Sequence, residues 1–242
     1  WMPWGVSAGI DLAFPILLGA VILREIVAGR NWKNLVILIL LAAFTLANGL
    51  FHLNAVMGEV AAQGIGLRLG LAAAVMLIAL IGGRIVPAFT GNWLKAAAHS
   101  ARPVAPMQRF DKAVLLFTIF VLGAWVAQPT AGATGYLLIA FGAAHFMRLI
   151  RWKGHLTLAE PLLFVLHAGY AFVPLGAFCI GGAVLFPQVL APAVAQHLWM
   201  AGAIGLMTLA VMTRATLGHS GRALHAGQGC VAIYVMVVLS VI

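Results

Sequence analysis

Apolar stretches of roughly twenty residues recur along the chain, divided by short polar segments. Each is long enough to cross a hydrocarbon core of about 30 Å at about 1.5 Å per helical residue. The pattern predicts an all-α, polytopic transmembrane helical bundle of about eight spans. These run Trp4 to Val27, Asn34 to Val56, Gly66 to Phe89, Lys112 to Ala127, Thr134 to Leu149, Leu158 to Leu185, Ala191 to Thr213 and Ala223 to Ile242. No linker exceeds Gly91 to Asp111, and no repeat or low-complexity segment appears, so residues 1–242 read as a single integral membrane domain. Between the last two runs lies a polar hinge, Val211 to His225, holding Arg214, His219, Arg222 and His225.

Composition places the chain in the same class, with 64% hydrophobic residues, 8% charged residues and a mean hydropathy of +1.08, far beyond a soluble domain. A net charge of +9 suggests nucleic acid, but its distribution argues for topology instead. Thirteen of the 14 Lys and Arg residues fall in the segments after the first, third, fifth and seventh runs, with only Arg68 opposite. The positive-inside rule makes that side cytoplasmic. Arg148, Arg151 and Lys153 count there as loop charges after the fifth run.

The few acids divide between helix ends and the membrane. Thr157 and Glu160 have the spacing of a capping box at the start of the sixth run, with Pro161 in its first turn, and Asp111 is placed to cap the fourth. Asp11, four residues before Pro15, is either an intramembrane carboxylate, a functional candidate by default, or the N-cap of a helix beginning at Leu12. Arg24 and Glu25 fall at the inner edge, where they snorkel or pair.

Histidine is the remaining source of chemistry, because several of the eight must lie in or near the bilayer. His167, about ten residues or 15 Å into the sixth run, falls near the midplane. His52 and His197 fall near the outer boundary, and His145, His219 and His225 near the inner one, while His99 and His155 read as solvated loop residues. Haem iron or copper requires imidazole nitrogens converging from different helices. Gly142, Ala143 and Ala144, just before His145, would admit either a planar macrocycle or a neighbouring helix. No HxxxH pair, CxxCH attachment site or paired-Cys pattern is present, and Cys179 and Cys230 read as packing residues. Met200, one turn after His197, is a thioether suited to Cu(I) or a core filler.

Three segments carry a family resemblance: Gly82-Gly83-Arg84-Ile85-Val86-Pro87-Ala88-Phe89-Thr90-Gly91-Asn92-Trp93-Leu94, Leu166-His167-Ala168-Gly169-Tyr170-Ala171-Phe172-Val173-Pro174-Leu175-Gly176, and Gly205 through His219. In order and spacing they resemble the NnrS family across essentially the whole chain. The resemblance implies a bacterial inner-membrane protein associated with nitric oxide metabolism and nitrosative-stress resistance, with haem and copper as bound groups. It also implies a fold of about twelve helices, with this chain its middle and later part and an earlier His-rich segment outside it. The opening at Trp1 and the short final run are read in the same way.

The leading expectation is a haem-binding membrane protein, with copper as a second group, that protects against nitric oxide or senses it. His167 is the best ligand candidate, with His145, His219 and His225 beside it, and His52, His197 and Met200 as metal candidates. Arg84, Arg214 and Arg222 would hold haem propionates or fix the inner loops. Its partners are the bilayer and nitric oxide or a metal-nitrosyl species, not nucleic acid. One alternative is a transporter with Asp11, His167 and Tyr170 along a polar path, its helices broken at Gly82-Gly83 with Pro87 and at Pro174. Another is a non-metal scaffold of a respiratory complex.

Overall fold

The computed structural model describes residues 3–241, and among these it contains helices and turns but no strand. Seven helical rods are long and apolar enough to cross a membrane, which makes this a multi-pass membrane protein. The first is α1 (Trp4–Ala28), and a short 3₁₀ turn leads into α2 (Leu35–Val56). The third is α3 (Ile65–Leu77), continued through a π-helical turn (Ile78–Gly82) into α4 (Gly83–Ala96). Then come α5 (Arg109–Ala127), α6 (Gly132–Ile150) and α7 (Pro161–Leu185). The seventh joins α8 (Pro192–His197), a π-helical stretch (Leu198–Leu206) and α9 (Met207–His219). A shorter apolar helix, α10 (Gln228–Val241), follows.

The first seven predicted runs are spanning helices that differ from expectation mainly at their ends. The eighth is helical only over Gln228–Val241, too short to count with the spanning seven, and its Ile242 lies outside the described residues. The sixth begins at Pro161 rather than Leu158, because the residue before proline is driven out of the α region and proline itself suits the first helical position. Glu160 is extended and caps alone, accepting from Leu162 N at 3.2 Å. Thr157 belongs to a separate 3₁₀ turn and donates to Gly154 O at 2.7 Å, so the expected box between the two does not form. A reciprocal box does form at α5, where Asp111 accepts from Gln108 N at 3.1 Å. The N-cap reading of Asp11 is overturned, since α1 starts at Trp4 and carries Asp11 within it. The supposed hinge from Val211 is helical as far as His219.

Packing divides the chain into two compact units. The first holds α1, α2 and α3 with the last turn of α5, Trp125–Ala127. There Gly66 brings α3 against the α2 backbone, and a Cβ at that position would lie 2.5 Å from Phe51 N. Most of the α1 and α2 surface is apolar and unburied, as suits lipid contact. The second unit runs from Ile78 onward apart from that turn and centres on α7, packed between α6 and the Leu198–Leu206 segment. Trp199 lies over Gly176 and donates its indole N–H to Val173 O at 2.9 Å. Helices α4 and α7 continue through Pro87 and Pro174, while at Gly82-Gly83 the third rod departs from α geometry in the π-helical turn that ends at Gly82.

Candidate functional site

Two polar clusters occupy the interior of the second unit, each built around a histidine. In the first, the Arg148 side chain is completely buried on α6, one turn after His145, so it is no loop charge. Its Nε donates to Asp111 Oδ1 at 2.7 Å, and Nη1 donates to Ala79 O at 2.7 Å and to the Tyr170 hydroxyl at 3.0 Å. Ala79 lies in the π-helical turn, whose wider spacing disturbs the usual i to i+4 pairing and lets a carbonyl find an outside donor. Gly83 makes room, since a Cβ there would stand 2.0 Å from Arg148 Nη2. Trp152 covers the guanidinium at 5.4 Å and meets the Tyr170 ring edge-on at 4.5 Å.

Hydrogen-bond directions then fix His145. Thr118 donates its hydroxyl to Val114 O at 2.7 Å, one turn back on α5, so its oxygen accepts from His145 Nε2 at 2.8 Å. That leaves Nδ1 unprotonated, and it accepts from the Tyr170 hydroxyl at 2.8 Å. Both ring nitrogens are thus engaged within a continuous chain from Asp111 through Arg148, Tyr170 and His145 to Thr118. The residue at Gly142 admits the Phe178 ring of α7, where a Cβ would stand 2.7 Å away; of the two readings of these small residues, helix packing describes it.

His167 repeats half of this arrangement. Thr90 on α4 donates to Val86 O at 2.9 Å and so accepts from His167 Nε2 at 2.8 Å. Nδ1 again carries the lone pair, but here it is buried with no hydrogen-bond partner. Lys153, in the left-handed region, turns the chain so that Gly154 lies against this ring edge; a Cβ there would be 2.6 Å from Nδ1. The glycine keeps that space clear of a side chain. A cavity of about 380 Å³ adjoins it, with His155, Gly154, Phe164 and His167 in its wall. His167 lies six residues beyond Pro161, about 9 Å along the axis rather than the 15 Å expected, because α7 starts later.

The other candidates are spread out. His52 on α2 pairs with Asp11 on α1, Nε2 to Oδ2 at 2.9 Å. His197 is exposed, with Nε2 3.3 Å from Ser240 O, and Met200 is exposed within the π-helical stretch. His219 and Arg222 are exposed, and His225 meets Glu160 at 3.1 Å. Arg214 lies over the Phe89 ring at 4.1 Å, while Arg84 is half-buried on α4. Among the described residues no three His, Cys, Asp or Glu side chains converge as a metal cluster. Asp11 pairs with His52 in the first unit, while in the second His167 bonds Thr90 and Tyr170 bonds His145. Arg148, Asp111, Thr90 and Thr118 were missed as site residues; the i, i+3 spacing of His145 and Arg148 on one helix face was the available signal.

Fold and interior together define a multi-pass helical membrane protein with two buried histidines held by threonines. The sequence profile described as NnrS protein matches residues 1–242. The chain belongs to the NnrS family, and is thus a nitric-oxide-related membrane protein. No curated protein and no solved structure matches it.

Proposed function

We propose that this chain is a haem- or copper-binding protein of the bacterial inner membrane that acts in the response to nitric oxide, with its basic loops cytoplasmic and His167 as its principal ligand. The observation that carries this reading is the buried, unpartnered Nδ1 of His167. A buried acceptor without a donor is costly, and a lone pair held in one tautomer by Thr90 is the form an imidazole takes as a metal ligand. Gly154 leaves room at that atom. His145 does not fit the same role, because coordination there would break its bond to Thr118 or to Tyr170.

A bound haem iron or copper ion would supply the position at which nitric oxide binds. The chain's own residues orient the ligand through Thr90 and surround it with a largely apolar wall. Arg214 and Arg84 are the half-buried cations of this family segment suited to carboxylates of such a group, and Arg222 is exposed. Purification of the full-length protein with elemental analysis and visible spectroscopy tests the reading. The expected result is a Soret band or stoichiometric copper that is lost in His167→Ala and retained in a Tyr136→Phe control, Tyr136 being an exposed residue of α6; absence of both iron and copper from the unsubstituted protein overturns it.

A further inference from the structure

We infer that the groove between α7 and α10 binds an isoprenoid hydroquinone, with the tail lying along the groove and one ring hydroxyl on His225. The inference concerns binding alone and requires no group at His167. Both helices belong to the second unit, where α10 packs mainly against the Leu198–Leu206 segment and touches α7 only sparsely. Between them runs a furrow of about 300 Å³, walled by Phe164, Val165 and Ala168 of α7 and by Val231, Val235 and Val238 of α10. The three valines recur at i, i+4 and i+7, which sets them on one face of α10. With the small Ala168 across from that stripe, neither helix fills the space. The volume is at the low end of the roughly 300–1,000 Å³ of small-molecule pockets, which suits one chain rather than two. Where both helices begin, Pro161 and Val231 also wall a wider cavity of about 570 Å³, with His225, Gly227 and Gln228 around it.

The polar end narrows the occupant. His225 Nδ1 lies 3.1 Å from Glu160 Oε2, and a carboxylate only accepts, so Nδ1 carries the proton and Nε2 of the neutral ring keeps its lone pair. Glu160 is itself held by Leu162 N at 3.2 Å, which fixes the group that orients the ring. The His225 side chain is 64% exposed, so its second nitrogen is open to a ligand. An oriented imidazole acceptor at the mouth of an apolar furrow recognises a hydroxyl at the head of a long apolar tail. An anionic phospholipid fits poorly, because neither cavity has a Lys or Arg in its wall and Glu160 repels a phosphate. Arg214 acts on Glu160, but its guanidinium is stacked on the Phe89 ring at 4.1 Å and lines neither cavity. A hydroquinone is uncharged, donates a phenolic hydroxyl and trails a single chain, and so meets each requirement.

Calorimetric titration of the full-length protein in phosphatidylcholine nanodiscs with decyl hydroquinone, kept reduced under argon and referred to empty discs, tests this. Saturable binding of one equivalent is expected. The dimethyl ether of the same probe lacks the donor and should bind about tenfold more weakly. In His225→Ala the hydroquinone should weaken by the same factor, and the two probes should become indistinguishable. Val235→Trp should fill the furrow and weaken both probes alike. Absence of saturable binding, as when a further helix or a second copy covers the groove, overturns the inference. So does an ether that binds as tightly as the hydroquinone, or displacement of the probe by an equal concentration of phosphatidylglycerol, which would assign the groove to phospholipid. The comparison of the two probes in the unsubstituted protein decides even where a variant fails to fold. Binding should persist in His167→Ala, so failure of the proposed cofactor at His167 is read separately.

Discussion

His145 and His167 are the same device on one ring nitrogen and different devices on the other. Each gives its Nε2 proton to a threonine whose own hydroxyl is spent on the carbonyl one turn back, Val114 for Thr118 and Val86 for Thr90. At His145 a tyrosine closes the remaining nitrogen, and an arginine holds the tyrosine. At His167 the equivalent atom faces a glycine and a cavity wall. Burial alone therefore does not distinguish a packing histidine from a ligand; the occupation of the second nitrogen does.

The sharpest way to break the closed site is at its charge. Arg148 and Asp111 are both buried, so removing either partner strands the other, and Arg148→Ala or Asp111→Ala should cost roughly 3–5 kcal/mol. Denaturant unfolding in micelles measures this. The double variant Arg148→Met with Asp111→Leu should recover much of the loss, since an apolar pair leaves no isolated charge. The substitution Gly83→Ala attacks the same contact sterically, because its Cβ would meet Nη2 at 2.0 Å. It should cost roughly 1–3 kcal/mol in the parent and distinctly less in an Arg148→Ala background. Equal costs in both backgrounds would mean that the glycine serves some other contact.

A gentler change makes the closed site resemble the open one. Tyr170→Phe keeps the ring against Trp152 but removes the donor to His145 Nδ1 and an acceptor of Arg148 Nη1. About 1–2 kcal/mol should be lost, the cost of unsatisfied buried groups partly relieved by local adjustment. If no stability is lost, the tyrosine hydroxyl is not the closing element.

The course of the first seven helices was legible because apolar length alone determines it, while the eighth run proved helical only from Gln228. The ends were less so. Glu160 was paired with Thr157 by spacing, yet Pro161 next to it dictates an extended backbone that spacing cannot convey. Arg148 shows the same limit in the site. Counted by position it belongs with Arg151 and Lys153 outside the membrane, but the π-helical turn far away in sequence offers it Ala79 O and makes burial tolerable. His167 was singled out correctly as a buried histidine, whereas its partner Thr90 lay 77 residues away on another helix. Cross-helix partners depend on helix rotation, and a nearly all-apolar segment contains little record of which face turns inward.

The finest test of the comparison leaves stability almost untouched. In protein carrying ¹⁵N-histidine, both buried rings should be neutral with the proton on Nε2, since both threonine oxygens can only accept. Their Nδ1 resonances should differ, because hydrogen bonding shields an unprotonated imidazole nitrogen and only His145 receives a bond there. Tyr170→Phe should move the His145 signal toward that of His167 and leave the His167 signal in place. Thr90→Val should instead release the tautomer of His167, spreading its proton between the two nitrogens at a cost of about 1 kcal/mol or less. A His167 Nδ1 that already resonates as a protonated nitrogen in the parent chain would reverse the assignment, and the atom offered as a ligand would then be a donor.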